Sequence, residues 1–220
     1  MNNKSNSNEF ELALKAIKDA GLYIAQPKDL ERLAESAKHS YEGYPLHDWF
    51  AKGTYDGEVT KQIIHISLKT MINDGIIYAD SEEINGFAMW LPPNYPGVNS
   101  LAFLFSGGIK LIMHAGFGIV DRLLSYESYA MKLKEKNSSS EDWYLYNLSV
   151  VKDKQGKGIA SKLLKPMLKL LDKQNKGCYL ETNKKENVSL YEHFGFKLME
   201  EGMVPKSNVK HYAMRKNINF

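Results

Sequence analysis

The sequence predicts an α/β chain in which strands and helices alternate around one core, and three observations lead there. Short apolar runs at residues 22–26, 76–79, 86–91, 143–151 and 178–182 alternate with segments whose apolar residues recur at helical spacing. One of these strands, 143–151, passes through a glycine-rich turn straight into a helix. The 220 residues are 43% hydrophobic and 25% charged, enough apolar surface to fill a core without staples and too much for general disorder. The length fits a single domain, 1–220, with a helical insertion and loop at 98–140 and a partly disordered or helical extension at 1–20.

In chain order, residues 1–8 are polar, lack an apolar signal core and read as a frayed tail. After the strand at 22–26, Pro27 opens a helix carried by Leu30, Leu33, Ala34 and Ala37. A polar, aromatic stretch at 39–55 follows. Asp56 is placed to cap a second helix through Ile63, Ile64, Ile66, Leu68 and Met71, which stops near Asn73-Asp74-Gly75. Residues 76–79 and 86–91 read as a hairpin, ended by Pro92-Pro93. Residues 101–120 are almost continuously apolar, about the length of a membrane span. Lys110 and His114 lie inside that run, and a central lysine costs about 2.5–3.5 kcal/mol on insertion scales. Gly107, Gly108, Gly116 and Gly118 interrupt it, and the strands on either side are expected to share one sheet, which a single span would separate. A pair of apolar helices covering a pocket is therefore expected, not a span. Residues 132–141 read as a serine-rich loop, 155–173 as a helix containing Pro166, 188–194 as a short helix, and 196–199 and 209–214 as the closing strands.

Charge narrows the function. A net charge of +3 from 29 basic and 26 acidic residues is small, and the only arginines are Arg32, Arg122 and Arg215. Scattered lysines suit a solvated surface better than a nucleic-acid reader. Cys178 is the one cysteine, which excludes an intrachain disulfide and a cysteine zinc site and fits a reducing, cytoplasmic compartment. His39, His47, His65, His114 and His211 show no metal-ligand spacing, so no metal is expected.

The sharpest feature is the junction from Leu148-Ser149-Val150 through Gln155-Gly156-Lys157-Gly158-Ile159-Ala160 into Ser161. A glycine-rich turn opening a helix leaves backbone N–H groups pointing outward and, with the helix dipole, suits a pyrophosphate. Walker-loop spacing is absent, and a dinucleotide fingerprint fails at its third small position, Ser161. Gln155, Gly158 and Ala160 instead satisfy Gln/Arg-x-x-Gly-x-Gly/Ala. Further on, the strand 178–182 is followed by Asn187, Tyr191 and Gly195-Phe196. With both motifs in this order, the chain resembles the GCN5-related N-acetyltransferases (GNATs) over about its last eighty residues. Trp143-Tyr144-Leu145 and Leu180-Glu181-Thr182 make it most similar to the puromycin-acetyltransferase-like branch.

The resemblance implies a mixed, largely antiparallel sheet flanked by helices and splayed where coenzyme A (CoA) binds. It implies transfer of an acetyl group from acetyl-CoA to a small-molecule primary amine in a ternary complex. Alternatives are a protein or peptide N-acetyltransferase, or a CoA-binding sensor without turnover. A monomer or homodimer without a membrane span is expected. The family's pyrophosphate loop corresponds to Gln155, Gly156, Lys157, Gly158, Ile159, Ala160 and Ser161, and its pantetheine strand to Leu148, Ser149 and Val150. Asn187 matches a CoA-contacting asparagine, or else caps a helix at Val188. Tyr191 matches the acid that protonates the leaving thiolate, a role a phenol can fill. The glutamate that some members carry before the loop is Tyr144 here, which leaves Glu181 and Asp142 as candidate bases. The aromatic content of the insertion and the stretch before it (Tyr44, Trp49, Phe103, Phe105, Tyr126) suggests an amine with an apolar body.

Overall fold

The computed structural model describes residues 3–93, 95 and 100–217. The first described element is a helix, α1 (Asn3–Asp19), which is the helical form of the extension expected over 1–20 and replaces the frayed tail expected over 1–8; residues 1 and 2 lie outside the described residues. Phe10, Ala13, Leu14 and Ile17 recur at helical spacing and pack into the core, with Ala13 and Ile17 fully buried. β1 (Tyr23–Ile24) leads through a tight turn at Pro27 to α2 (Leu30–Ser40). The aromatic stretch contains a short helix, α3 (Pro45–Phe50), opened by a proline whose fixed φ suits a first helical position. α4 (Gly57–Met71) is capped as expected: the Asp56 carboxylate accepts from the N–H groups of Glu58 (2.9 Å) and Val59 (3.1 Å). β2 (Ile76–Ala79) and β3 (Gly86–Leu91) form the expected antiparallel hairpin.

The apolar run becomes α5 (Ser100–Phe103), a π-helical turn at Leu104–Gly108, α6 (Ile109–Ala115) and α7 (Gly118–Asn137). Residues 98 and 99 of the expected insertion lie outside the described residues. Among the described residues no helix is long and apolar enough to cross a membrane. The loop expected at 132–141 is corrected: α7 continues to Asn137, because buried Ala130 and Leu133 extend its inner face while the lysines occupy its outer one. Then come β4 (Trp143–Val150), α8 (Ile159–Lys173), β5 (Cys178–Thr182), α9 (Lys185–His193), β6 (Lys197–Met203) and β7 (Lys210–Lys216). α8 starts four residues later than expected, because Gly156 and Gly158 both adopt positive φ ahead of it.

The strands form one sheet in the order β1-β2-β3-β4-β5-β7-β6, parallel only between β4 and β5. One face packs Tyr78, Trp90, Trp143, Leu180 and Met214 against α1, α8 and α9. The other packs Ile77, Phe87 and Met89 against α2 and α4, and a third cluster around Phe50, Leu111 and Ile119 ties α3, α6 and α7 together. The parallel pair determines where the site lies. β4 and β5 pair only at Trp143↔Cys178, Tyr144↔Tyr179 and Leu145↔Leu180, although β4 continues to Val150 and β5 to Thr182. At that point β4 also carries a bulge: Met89 faces Asn147 and Trp90 faces Leu145, leaving Tyr146 as the extra residue. A bulge bends and twists its strand. β4 turns away from β5, and a wedge opens between them.

Candidate active site

At the mouth of the wedge, β4 ends and a turn brings the chain into α8. The side chain of Gln155 donates to Val150 O (2.9 Å), tying the turn back to the strand. Gly156 (φ 73°) and Gly158 (φ 82°) are left-handed, and a Cβ on either would meet no atom within 4 Å, so it is conformation and not crowding that calls for glycine. No described residue accepts a hydrogen bond from the N–H groups of Gly156, Lys157, Gly158, Ile159, Ala160 or Ser161; the helix ladder begins with Lys162 N to Gly158 O (2.9 Å). Six amides at a helix N-terminus without a side-chain cap form a cradle for an anion. Three lysines lie in or beside this turn in the chain: Lys152 pairs with Glu42 (3.3 Å), the ammonium of Lys157 donates to Asp153 O (2.9 Å) and that of Lys162 to Asp80 O (2.7 Å).

Along the wedge, the β4 edge that faces away from β3 is unpaired from Tyr146 to Val150. Among the described residues, buried Ser149 Oγ and Asn147 Oδ1 have no hydrogen-bond partner, while Asn147 Nδ2 donates to Tyr41 Oη (2.8 Å). Tyr191 enters from α9. Its ring packs edge-on to Phe196 in the core, its hydroxyl has no protein partner among the described residues, and burial pushes its phenol pKa up. Tyr44 crosses from the opposite side, accepting from Asn183 N (2.8 Å) and meeting Thr182 Oγ1 (3.1 Å). Asn187 is not a helix cap. It sits inside α9, whose cap position is Lys184, and its amide donates to Thr182 Oγ1 (3.1 Å) at the end of β5.

Glu181 lies at the inner end, on the sheet face opposite α8. Its side chain is 4% exposed. Tyr179 Oη donates to its Oε1 (2.9 Å) and Tyr144 Oη to its Oε2 (3.1 Å). Burial pushes its carboxyl up to about 8, against the pull of those two hydroxyls. Ala213 stands opposite Glu181 on β7, and that small residue leaves the carboxylate open to its diagonal neighbour, His211. Tyr126 and Tyr129 of α7 pack edge-on to the His211 ring. At the outer rim, Tyr146 Oη donates to Glu127 Oε1 (3.4 Å), and the protein packed behind Glu127 pushes its carboxyl up.

The structure does not bring every expected residue here. Asp142 sits before β4, at the end away from the loop, where it accepts from Arg215 Nε (2.7 Å), Arg215 Nη2 (3.1 Å) and Ser139 N (2.9 Å). That is a bidentate structural ion pair with its oxygens already engaged. Phe105 is 82% exposed on the outer face of the insertion, and Trp49 and Phe103 pack into the third core cluster. Of the five aromatics, Tyr44 and Tyr126 lie close enough to Glu181 for its charge to raise their phenol pKa values, beyond the larger effect of burial. A separate cavity of about 290 Å³ between α2, α4 and the π turn is lined by Glu31, Lys61, His65, Lys69 and Lys110. Its Lys61 is paired with Glu31 and Glu35, both at 2.7 Å, and it contains none of the site residues. Among the described residues there is no metal-binding group of His, Cys, Asp and Glu. Sequence reasoning missed His211, Asn183 and Tyr179; only the alternation along β5, which puts Tyr179, Glu181 and Asn183 on one face, pointed towards two of them.

Residues 128–218 match the family model of the acetyltransferase (GNAT) domain. An uncharacterized N-acetyltransferase of Schizosaccharomyces pombe is 36% identical over 78 residues, which is 36% of this chain and 31% of that protein; the match thus spans about a third of the relative. The solved structure of a histone acetyltransferase HPA2 and related acetyltransferase from Corynebacterium glutamicum superposes with a TM-score of 0.61 at 19% identity, covering 90% of this chain and 96% of that one. Arylalkylamine N-acetyltransferase 2 of Aedes aegypti superposes with a TM-score of 0.58 at 17% identity, covering 90% and 98%. The chain has the fold of these acetyltransferases, and its residues 128–218 are similar to the GNAT acetyltransferase domain.

Proposed function

We propose that this chain is a single-domain, acetyl-CoA-dependent N-acetyltransferase acting on the primary amine of a small molecule in a ternary complex. One observation carries the reading: the wedge between β4 and β5 joins a cradle of unpartnered amides at one end to a buried carboxylate at the other. The residues present fit the cofactor, since the cradle suits a pyrophosphate and the free edge of β4 offers backbone groups to an amide-bearing arm. When bound, acetyl-CoA supplies the thioester that acylates the amine.

The chain's residues divide the remaining work. The N–H groups of 156–161 hold the pyrophosphate, and the backbone of Leu148, Ser149 and Val150 orients the pantetheine. Asn187 secures the end of β5 through Thr182. Glu181 takes the ammonium proton of the acceptor, directly or through one water; with its carboxyl near 8 it matches such an amine better than a surface glutamate would. Tyr191, across the wedge, delivers a proton to the departing sulfur from a hydroxyl without a partner among the described residues. Tyr126, Tyr129, Tyr144 and Tyr146 shape the acceptor end, which favours an amine with an apolar or aromatic body. Trp143-Tyr144-Leu145 and Leu180-Glu181-Thr182 support the puromycin-acetyltransferase-like branch within this reading.

Calorimetric titration with acetyl-CoA, beside a Gly158→Trp variant checked for folding by circular dichroism, tests the reading. Micromolar binding that is lost in the variant is the expected result, followed by turnover on a panel of aryl and alkyl amines. No binding by the intact chain would overturn the cofactor assignment. Turnover of peptides but not small amines would overturn the acceptor class.

A further inference from the structure

His211 carries an unexplained atom. The residue is completely buried, and its Nε2 has no hydrogen-bond partner among the described residues. A buried ring nitrogen without a partner is costly and uncommon in folded proteins. Its tautomer follows from its neighbours. The Asn183 side-chain nitrogen lies 2.8 Å from Lys210 O, which can only accept, so that atom is the amide NH2. The same nitrogen lies 3.3 Å from His211 Nδ1. Nδ1 therefore accepts, and the ring proton sits on Nε2. Burial pushes the histidine down to about 4, so the ring is neutral and Nε2–H is its one donor. That donor faces Glu181 Oε1 at 3.8 Å, just beyond hydrogen-bond distance.

We propose that His211 is the positioning residue for Glu181: its Nε2–H closes on the carboxylate as Glu181 ionises, fixing the base against the wedge, while Asn183 holds the ring in the tautomer that makes this contact. The inference rests on the proposed role of Glu181. A carboxylate has about four acceptor sites, and Tyr144 and Tyr179 occupy two, so a third donor fits. Those three donors favour the anion over the acid. The other charged or titratable groups that act on the pair are Glu127, Lys134 and Tyr126 from α7, Tyr129 beside the ring, Tyr44 ahead of α3, and Glu200 from β6. Of these, Lys134 alone stabilises the ionised carboxylate, and the 5.5 Å from its ammonium to the Tyr144 ring puts it over the tyrosine.

The experiment uses the full chain in three forms: wild type, His211→Phe, which keeps a flat ring between Tyr126 and Tyr129, and His211→Gln, which restores a side-chain N–H. Carbon-13 NMR follows the Glu181 carboxyl titration without substrate, nitrogen-15 NMR reads the His211 tautomer, and kcat/KM is profiled against pH beside Glu181→Gln. The expected result is an Nε2–H tautomer in the wild type. The Glu181 midpoint and the rising limb of kcat/KM should move up by about one pH unit in His211→Phe, equivalent to about tenfold. Both should stay near wild type in His211→Gln, with KM for acetyl-CoA unchanged in all. An unmoved Glu181 midpoint in His211→Phe, an equal shift in His211→Gln, or an Nδ1–H tautomer overturns the inference. If Glu181→Gln keeps full activity and the rising limb, the base assignment itself fails, whatever the NMR midpoints show.

Discussion

Replacing Glu181 by glutamine makes a prediction with two independent readouts. The folded carboxyl is raised from 4.5 to about 8 with burial as the leading cause. At about 1.4 kcal/mol per pH unit, that rise sets a ceiling of about 5 kcal/mol on what ionising Glu181 costs the fold. Because the folded value is the raised one, the cost is absent below the unfolded value near 4.5, grows as pH rises through 8, and is constant above. Glutamine carries no charge at any pH, and all other titrations are common to both proteins. In urea unfolding the gain of Glu181→Gln over the wild type should therefore be small at pH 5, just above the unfolded value, and largest at pH 9. Tyr144 and Tyr179 donate to the anion and absorb part of the ceiling, so a gain above about 1 kcal/mol is the expected size. In the same variant kcat/KM should fall by about 10²–10⁴, the usual contribution of a positioned base, and lose its rise towards pH 8. A stability difference that does not change between pH 5 and pH 9 would refute the desolvation argument. Full activity would refute the catalytic one.

Three further predictions follow from the geometry. Tyr191→Phe removes a hydroxyl without a protein partner, so unfolding should shift by less than about 0.5 kcal/mol while kcat falls by about 10² or more, with KM for the amine unchanged in steady-state assays. Asp142→Asn breaks the bidentate contact with Arg215 far from the wedge; urea unfolding should report a loss of about 2 kcal/mol while kcat/KM is retained. Gly86→Ala would set a Cβ 2.8 Å from Ser149 O and 3.0 Å from the Ile159 side chain, where β3 meets the end of β4 and the start of α8. It should cost about 1–3 kcal/mol of stability and weaken acetyl-CoA binding measured by calorimetry.

The sequence was most legible where chemistry and chain order coincide. The hairpin of β2 and β3, the Asp56 cap, the strand β5 and the turn with Gly156 and Gly158 all depend on residues within a few positions of one another, and each was found where local pattern put it. Reading failed where surface composition hid a buried stripe. Lysines and serines masked the end of α7, although Leu133 carried the core pattern there, and within an extension read as partly disordered or helical, polar residues made 1–8 look like a frayed tail. It also failed where an aromatic residue was taken for a pocket wall: the kinked insertion turns Phe105 to solvent and Phe103 to the core.

By itself, then, the sequence determined the strand-turn-helix anion cradle, the tyrosine on the helix beyond β5 and the family resemblance, because a helix N-terminus and a short motif are made by consecutive residues. Only the tertiary structure decided what surrounds Glu181, the proposed base. Tyr144, Glu181 and His211 come from β4, β5 and β7, and they meet because β7 lies between β5 and β6 in the sheet while β4 bends away at Tyr146. The same packing locks Asp142 onto Arg215 and leaves Glu181 desolvated. Strand order and burial are properties of the packed sheet, set by contacts between residues thirty or more positions apart, and no run of neighbouring residues records them.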